Sequence, residues 1–155
     1  MDKQTQASEE YLDTLLKYFE DEISGEAYFY GLAEHFTERE KTTLLARVER
    51  RAAETVRPLL DKYGLRPRDE SLIHDQGKGY VKVHQSYSWH DFMNHIIKRY
   101  PGYLDDFKGL EDMAPYEDLP ALNLLTDHEV AVIDFAKMEL AGNPDSLLAL
   151  NRYLE

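Results

Sequence analysis

The sequence predicts an all-α fold. It is a bundle of four main helices, with a long connection between the second and third and a short helix near the C-terminus. Three observations carry this. Apolar residues recur at spacings of three, four and seven over four separate stretches, the period of one helix face. The patterns Thr37-Glu38-Arg39-Glu40 and Ser88-Trp89-His90-Asp91 are capping boxes that mark where two of those stretches begin. Glutamates stand on the apolar rows of the first two stretches, where a carboxylate is costly unless paired, hydrogen-bonded or bound to a cation.

Residues 1 to about 7 read as a frayed tail. Ser8 caps the first helix, and Glu9 and Glu10 favour the positive end of its dipole. Leu12, Leu15, Phe19, Ile23, Tyr30 and Ala33 form its apolar row, with Glu26 among them. Gly25 and Gly31 interrupt this helix, and close approach of a neighbouring backbone would compensate. The second helix opens at Thr37 and carries Leu45, Val48, Ala52, Val56 and Leu59, with Glu49 in that row. Pro58 should kink or end its regular part, and Gly64, followed by Pro67, is the expected left-handed stop.

Residues 65 to about 87 lack helical periodicity, and Tyr80-Val81-Lys82-Val83-His84 alternates briefly like a strand. So long a connection suits a crossover spanning the bundle or a lid over a site. Ser88 opens the third helix, with Trp89, Phe92, Met93, Ile96, Ile97 and Tyr100 on one face. Pro101 kinks or restarts it, and Tyr103, Leu104, Phe107, Leu110 and Met113 continue the apolar face. The fourth helix, about 121–141, has Leu124, Leu125, His128, Ala131, Val132, Phe135 and Met138 on its row and Gly142 at its end. Asn143-Pro144 then starts a short helix packed through Leu147, Leu148, Leu150 and Leu154.

The tight turn at Thr37 makes the first two helices antiparallel neighbours. Glu26 lies 37 − 26 = 11 residues before it and Glu49 lies 49 − 37 = 12 after it. At ~1.5 Å per residue both stand roughly 16–18 Å from the turn, so the two carboxylates are expected level with each other.

The 155 residues fit one domain, 1–155, able to bury roughly two-thirds of its surface. With 43% hydrophobic and 31% charged residues the composition is that of a soluble globular chain. A formal charge of −12 argues against nucleic acid or an anionic membrane as partner. The absence of cysteine removes disulfides, thiol nucleophiles and cysteine-ligated metal or iron–sulfur sites. Met1-Asp2-Lys3-Gln4 lacks an apolar targeting core, and no stretch is long enough to span a membrane, so a cytoplasmic location is the default expectation. Aromatics such as Tyr11 and Tyr18 would suit a homodimer contact.

The candidate metal ligands are Glu26, Glu49, His128, Glu129 and Asp106. Glu129 falls about nine residues into its helix, which puts its level partner on the third helix near Asp105 or Asp106, with Glu111 as an alternative. An inward glutamate can also pair with an arginine or accept from a tyrosine such as Tyr30, and His128 can be a hydrogen-bonded core histidine. Both readings stand at this point. His35, His74, His84, His90 and His95 show no shared ligand spacing and read as surface or loop residues.

Two long helices, a long crossover, two further helices and inward glutamates resemble the ferritin-like superfamily. That resemblance implies two metal ions, usually iron, held by a glutamate from each of two helices and a Glu-x-x-His from each of the other two. Glu26 matches the first-helix glutamate. Glu49-Arg50-Arg51-Ala52 and Glu129-Val130-Ala131-Val132 match the other two motifs, with Ala52 and Val132 where histidines belong. The diiron motif is therefore degenerate, and two expectations follow. One is a ferritin-like protein with a binding or structural role in the cytoplasm. The other is a carboxylate-bridged dimetal oxidoreductase, with iron or manganese as cofactor and His128 or an aspartate such as Asp106 replacing the missing ligands.

Overall fold

The helical periods of the sequence become helices wherever an apolar row finds a partner. The computed structural model describes residues 6–155. Its elements are α1 (Glu9–Ala33), α2 (Arg39–Lys62), α3 (Glu70–Gly79), α4 (Val81–His84), α5 (Trp89–Met113), a 3-10 turn (Tyr116–Asp118), α6 (Leu119–Leu140) and α7 (Leu148–Leu154). Among the described residues there is no strand, and no helix is long and apolar enough to cross a membrane. The frayed tail expected over 1 to about 7 lies, for residues 1–5, outside the described residues.

The caps explain most boundaries. Ser8 and Ser88 accept from the amides of Tyr11 and Asp91 at the starts of α1 and α5. Gly64 adopts φ +64°, and the amides of Gly64 and Leu65 donate back to Asp61 and Leu60. Gly142, at φ +68°, closes α6 in the same way, with donors at Gly142 and Asn143. These are the paired bonds of a Schellman motif, which need a left-handed residue after the helix.

Several expectations fail for identifiable reasons. Thr37 does not cap α2: its hydroxyl donates to Glu38 Oε1, and α2 begins at Arg39 with no side-chain cap. α1 stops at Ala33, so the turn takes five residues rather than one. Of the two outcomes expected at Pro58 and Pro101, termination does not occur: α2 and α5 continue through them, and α2 stops at Lys62 before Gly64 as expected. The segment 65–87 is largely helical. Its strand-like stretch forms α4 because Val81 packs where a Cβ on Gly31 would sit, which fixes the segment against α1. The bare backbone approach expected at Gly25 or Gly31 occurs instead at Gly77, whose Cβ position coincides with the carbonyl of Ser24. Tyr30, expected in the core, is exposed, whereas Tyr11, expected at a dimer contact, is fully buried. Tyr18 is half-buried, edge-on to Phe107 at 5.4 Å.

α1 packs along α2, α5 along α6, α2 against α6, and α3 covers α1. The apolar core falls into two halves. One contains Phe29, Leu32, Leu45, Val48, Phe92, Ile96, Val132 and Phe135. The other contains Leu15, Phe19, Ile23, Ala52, Val56, Phe107, Leu110 and Leu125. Each long helix passes from one half to the other, and the crossing point on α1, α2 and α6 is marked by buried polar residues: Glu22 and Glu26, Glu49, and His128 with Glu129. On α5 the crossing lies between Tyr100 and Phe107 and carries no buried acid.

Candidate metal centre

Glu22, Glu49 and His128 converge in this polar layer, with one ligand-type atom from each within 4.8 Å of the others. All three are buried, His128 completely. Glu22 arrives from α1 because it lies seven residues from Leu15 and seven from Phe29, both fully buried. Glu49 projects beside Gly25, where a Cβ would come within 3.0 Å of Glu49 Oε1. Gly25 thus leaves room for a carboxylate at a place where any larger residue would crowd it.

The imidazole is oriented by its own helix. Nδ1 of His128 is hydrogen-bonded to the carbonyl of Leu125, which can only accept, so Nδ1 carries the proton. Nε2 faces inward, 2.9 Å from Glu22 Oε2, 2.9 Å from Glu49 Oε2 and 3.7 Å from Glu129 Oε2. Both 2.9 Å contacts are at ion-pair distance, but no hydrogen bond is completed at either His128 Nε2 or Glu49 Oε2, which are both buried. A metal-bound histidine is commonly held in this way, one nitrogen donating to a carbonyl and the other free.

The electrostatics match a site short of positive charge. Burial, then the neighbouring Glu22, raises the Glu49 pKa well above the carboxylate range, with His128 opposing. Burial pushes Glu129 up to about 8, against the pull of His128 and with a further push from Glu49. Burial alone would lower His128, but Glu22 and Glu49 outweigh it and raise its pKa.

The donor set fits a metal ion. Two ligands at ~2.1 Å from one ion stand ~3.0 Å apart at a right angle and ~3.4 Å apart at a tetrahedral angle. The 2.9 Å separations around Nε2 lie close to the first value. The buried glutamate–histidine group could therefore hold a metal.

The predicted ligands divide. Glu49 and His128 are in the group, and Glu129 borders it. Glu26 is not. Its carboxylate takes both Arg50 Nε at 3.0 Å and Nη2 at 2.9 Å, and His74 Nε2 lies 3.2 Å away. Glu26, Glu70 and His74 do form a second cluster with ligand spacing. Arg50, paired with both carboxylates, already supplies its cation. Asp106 is exposed, at the rim of a cavity that Glu49 and Glu129 also line, and is outside the group. Glu111 accepts from the Thr126 hydroxyl instead.

Among the histidines read as surface residues, His35 and His90 are exposed, but His74, His84 and His95 are partly buried. His84 shares a 2.7 Å hydrogen bond with the Tyr28 hydroxyl, and its ring centroid lies 4.3 Å from that of His95. Glu22 is the residue the sequence reading missed. Its seven-residue spacing from Leu15 and Phe29 was the available signal. Comparisons with protein-family models, curated proteins and solved structures return no match.

Proposed function

We propose that the protein is a ferritin-like helical bundle that holds one divalent transition-metal ion between Glu22, Glu49 and His128, with Glu129 as a fourth ligand. The observation that carries this reading is the pair of buried atoms with no completed hydrogen bond, Glu49 Oε2 and His128 Nε2, 2.9 Å apart. A fully buried imidazole nitrogen with no partner is costly, and a cation relieves it together with the crowded carboxylates. One nitrogen and three oxygens suit Fe²⁺, Mn²⁺ or Zn²⁺ better than the larger, all-oxygen Ca²⁺ site.

When bound, such an ion supplies Lewis acidity and, for iron or manganese, one-electron redox capacity. The chain's own contribution is orientation. Leu125 fixes the imidazole tautomer, Gly25 leaves Glu49 its place, and the two apolar halves of the core flank the polar layer.

A second reading, an oxidoreductase with two ions bridged by carboxylates, is favoured by the cavity of about 450 Å³ that reaches Glu49 and Glu129 from the surface. Stoichiometry separates the two. Protein stripped with EDTA and titrated with Fe²⁺ (anaerobically), Mn²⁺ or Zn²⁺ should bind one ion per chain by calorimetry and elemental analysis. Two ions would favour the oxidoreductase. Binding should vanish in His128→Leu and survive Glu26→Gln and Asp106→Asn. No binding at all would leave the cluster a buried Glu–His–Glu ion triad and end the proposal.

A further inference from the structure

One wall of the cavity that reaches Glu49 and Glu129 comes from outside the four long helices. Gln76, Tyr80 and His84 supply it from the crossover between α2 and α5, while His95, Tyr100 and Tyr103 supply the α5 side. The crossover is fastened to α1 by Val81 over Gly31 and by Gly77 against the Ser24 carbonyl. Beside the cavity it meets α5 through rings. The ring centroid of His84 lies 4.3 Å from that of His95 and 6.1 Å from that of Phe92, and Tyr87 lies 6.2 Å from His95. Two partly buried imidazoles thus form the joint between the crossover and α5.

Nothing packed against this joint is set to receive a positive charge. From α1, the Tyr28 hydroxyl shares a 2.7 Å hydrogen bond with His84 Nδ1, and burial raises the Tyr28 pKa, so it stays a neutral phenol. From the crossover, Tyr87 stands edge-on to both imidazoles. From α5, Tyr100 lies 6.2 Å from His95, and Arg99 adds a positive charge nearby. Asp21 and Glu22 of α1, Glu49 of α2, Asp106 of α5 and Glu129 of α6 line the same cavity, but among the described residues none is in an ion pair with either ring. Burial lowers the pKa of His84; burial, then His84 and Arg99, lower that of His95. Both rings are neutral in the closed arrangement at neutral pH, and two imidazoliums in contact would repel.

We propose that the His84–His95 contact is a pH-sensitive latch: acid charges the two rings, their repulsion parts α4 from α5, and the cavity toward Glu49 and Glu129 widens. A histidine whose pKa is depressed in the closed form takes its proton more readily in the open form. The closed form is therefore most stable above the ordinary histidine value of about 6.5 and loses stability as pH falls below it. The opening is confined to α4 and the turn after it. α3 stays docked through Gly77 and through Arg50, which joins Glu70 to Glu26. The latch governs access to the site proposed above, but its operation needs no bound ion.

Hydrogen–deuterium exchange of the full chain in EDTA tests this, read by mass spectrometry and corrected for the intrinsic pH dependence of exchange. A peptide covering residues 81–87 should lose protection roughly tenfold between about pH 7.5 and about pH 5.5, the equivalent of one unit of pKa difference between closed and open forms. Peptides from α2 and α6 should not follow. The double variant His84→Gln/His95→Phe keeps a hydrogen-bonding group for Tyr28 and a ring against Phe92, and should show no such loss. Either single variant should show a smaller loss than the native chain, and suffices if the double variant does not fold. No loss in the native chain, an equal loss in the variants, or an equal loss in α2 and α6 overturns the proposal. Because no metal is present in the measurement, a chain that binds no ion leaves the latch standing, and a failed latch leaves the metal reading untouched.

Discussion

Two buried acidic sites in this molecule have opposite surroundings. Asp118, fully buried at one end of the bundle, receives hydrogen bonds from Tyr11 (2.7 Å), Tyr63 (2.6 Å) and Lys62 (2.7 Å). Burial alone would raise its pKa, but these donors outweigh it and hold the carboxyl below its ordinary value. Glu49, in the middle, is crowded by Glu22 and faces His128 Nε2 at 2.9 Å with no aligned hydrogen bond at its Oε2, and its pKa rises. The same functional group is thus a finished structural joint in one place and an unfinished site in the other. What distinguishes them is the supply of donors, not the depth of burial. Glu139, held by Lys41, Trp89 and Ser146 at the opposite end, belongs with Asp118.

The largest test of this contrast is to remove the joint. Asp118→Ala should cost about 3 kcal/mol in urea denaturation, because Tyr11 is left with a buried, unpaired hydroxyl. A loss under about 1 kcal/mol would mean that the three donors contribute little. Acid should act the same way. A carboxyl whose folded pKa is depressed contributes stability above its unfolded pKa of about 3.9 and loses it as pH falls through the folded value. The Asp118→Ala penalty should therefore shrink steadily below about pH 4.

Filling the site should come next in size. At a metal concentration 100 times Kd, the native state gains about 2.7 kcal/mol, which for a chain of this length is a rise in Tm of about 5–10 °C. Differential scanning fluorimetry with Mn²⁺ should show this for Asp118→Asn and not for Glu49→Gln.

In the metal-free protein the sign reverses at the centre. Glu49→Gln removes a crowded carboxylate and should stabilise the EDTA-treated chain by about 1 kcal/mol, whereas any change at Asp118 destabilises. The pH dependence reverses too. Glu129, raised to about 8, binds a proton on folding, so the apo protein should lose stability as pH climbs from about 5 to 8. Glu129→Gln should flatten that slope, and an unchanged slope would locate the protonation elsewhere. The smallest effect is Tyr63→Phe, which takes one of three donors from Asp118 and should cost about 1 kcal/mol at neutral pH.

The helices were legible where one face alone is buried. The row Leu45, Val48, Ala52, Val56 and Leu59 predicts α2 correctly, with Glu49 among its core residues. α1 misleads because α2 and α3 cover it on different sides, so Glu22 and Glu26 are both buried and periodicity cannot say which faces the centre. Two carboxylates on α1 and α2 do come level, counted from the observed helix ends rather than from Thr37. Taking the observed helix ends, Glu22 lies 33 − 22 = 11 residues from the end of α1 and Glu49 lies 49 − 39 = 10 from the start of α2. The five-residue turn moved the partner of Glu49 from Glu26 to Glu22, one helical turn away. His128 was legible as an inward histidine beside Glu129. The fit of α3 and α4 onto α1 depends on Gly31, conspicuous as a glycine inside a helix, and on Gly77, which no local pattern reveals.

Gly77 has a consequence for how this chain could change over time. With its Cβ position already taken by the Ser24 carbonyl, α3 rests on α1 with no spacer between them. Much of that crossover segment is solvent-facing and free to drift in sequence. At position 77, however, even a single added methyl would lift the segment and disturb its grip on the neighbourhood of Gly25. The longest excursion of the chain is thus anchored in part by a missing side chain, and variation there should be tolerated at its exposed positions but not at Gly77 or at the buried Ile73 and Val81.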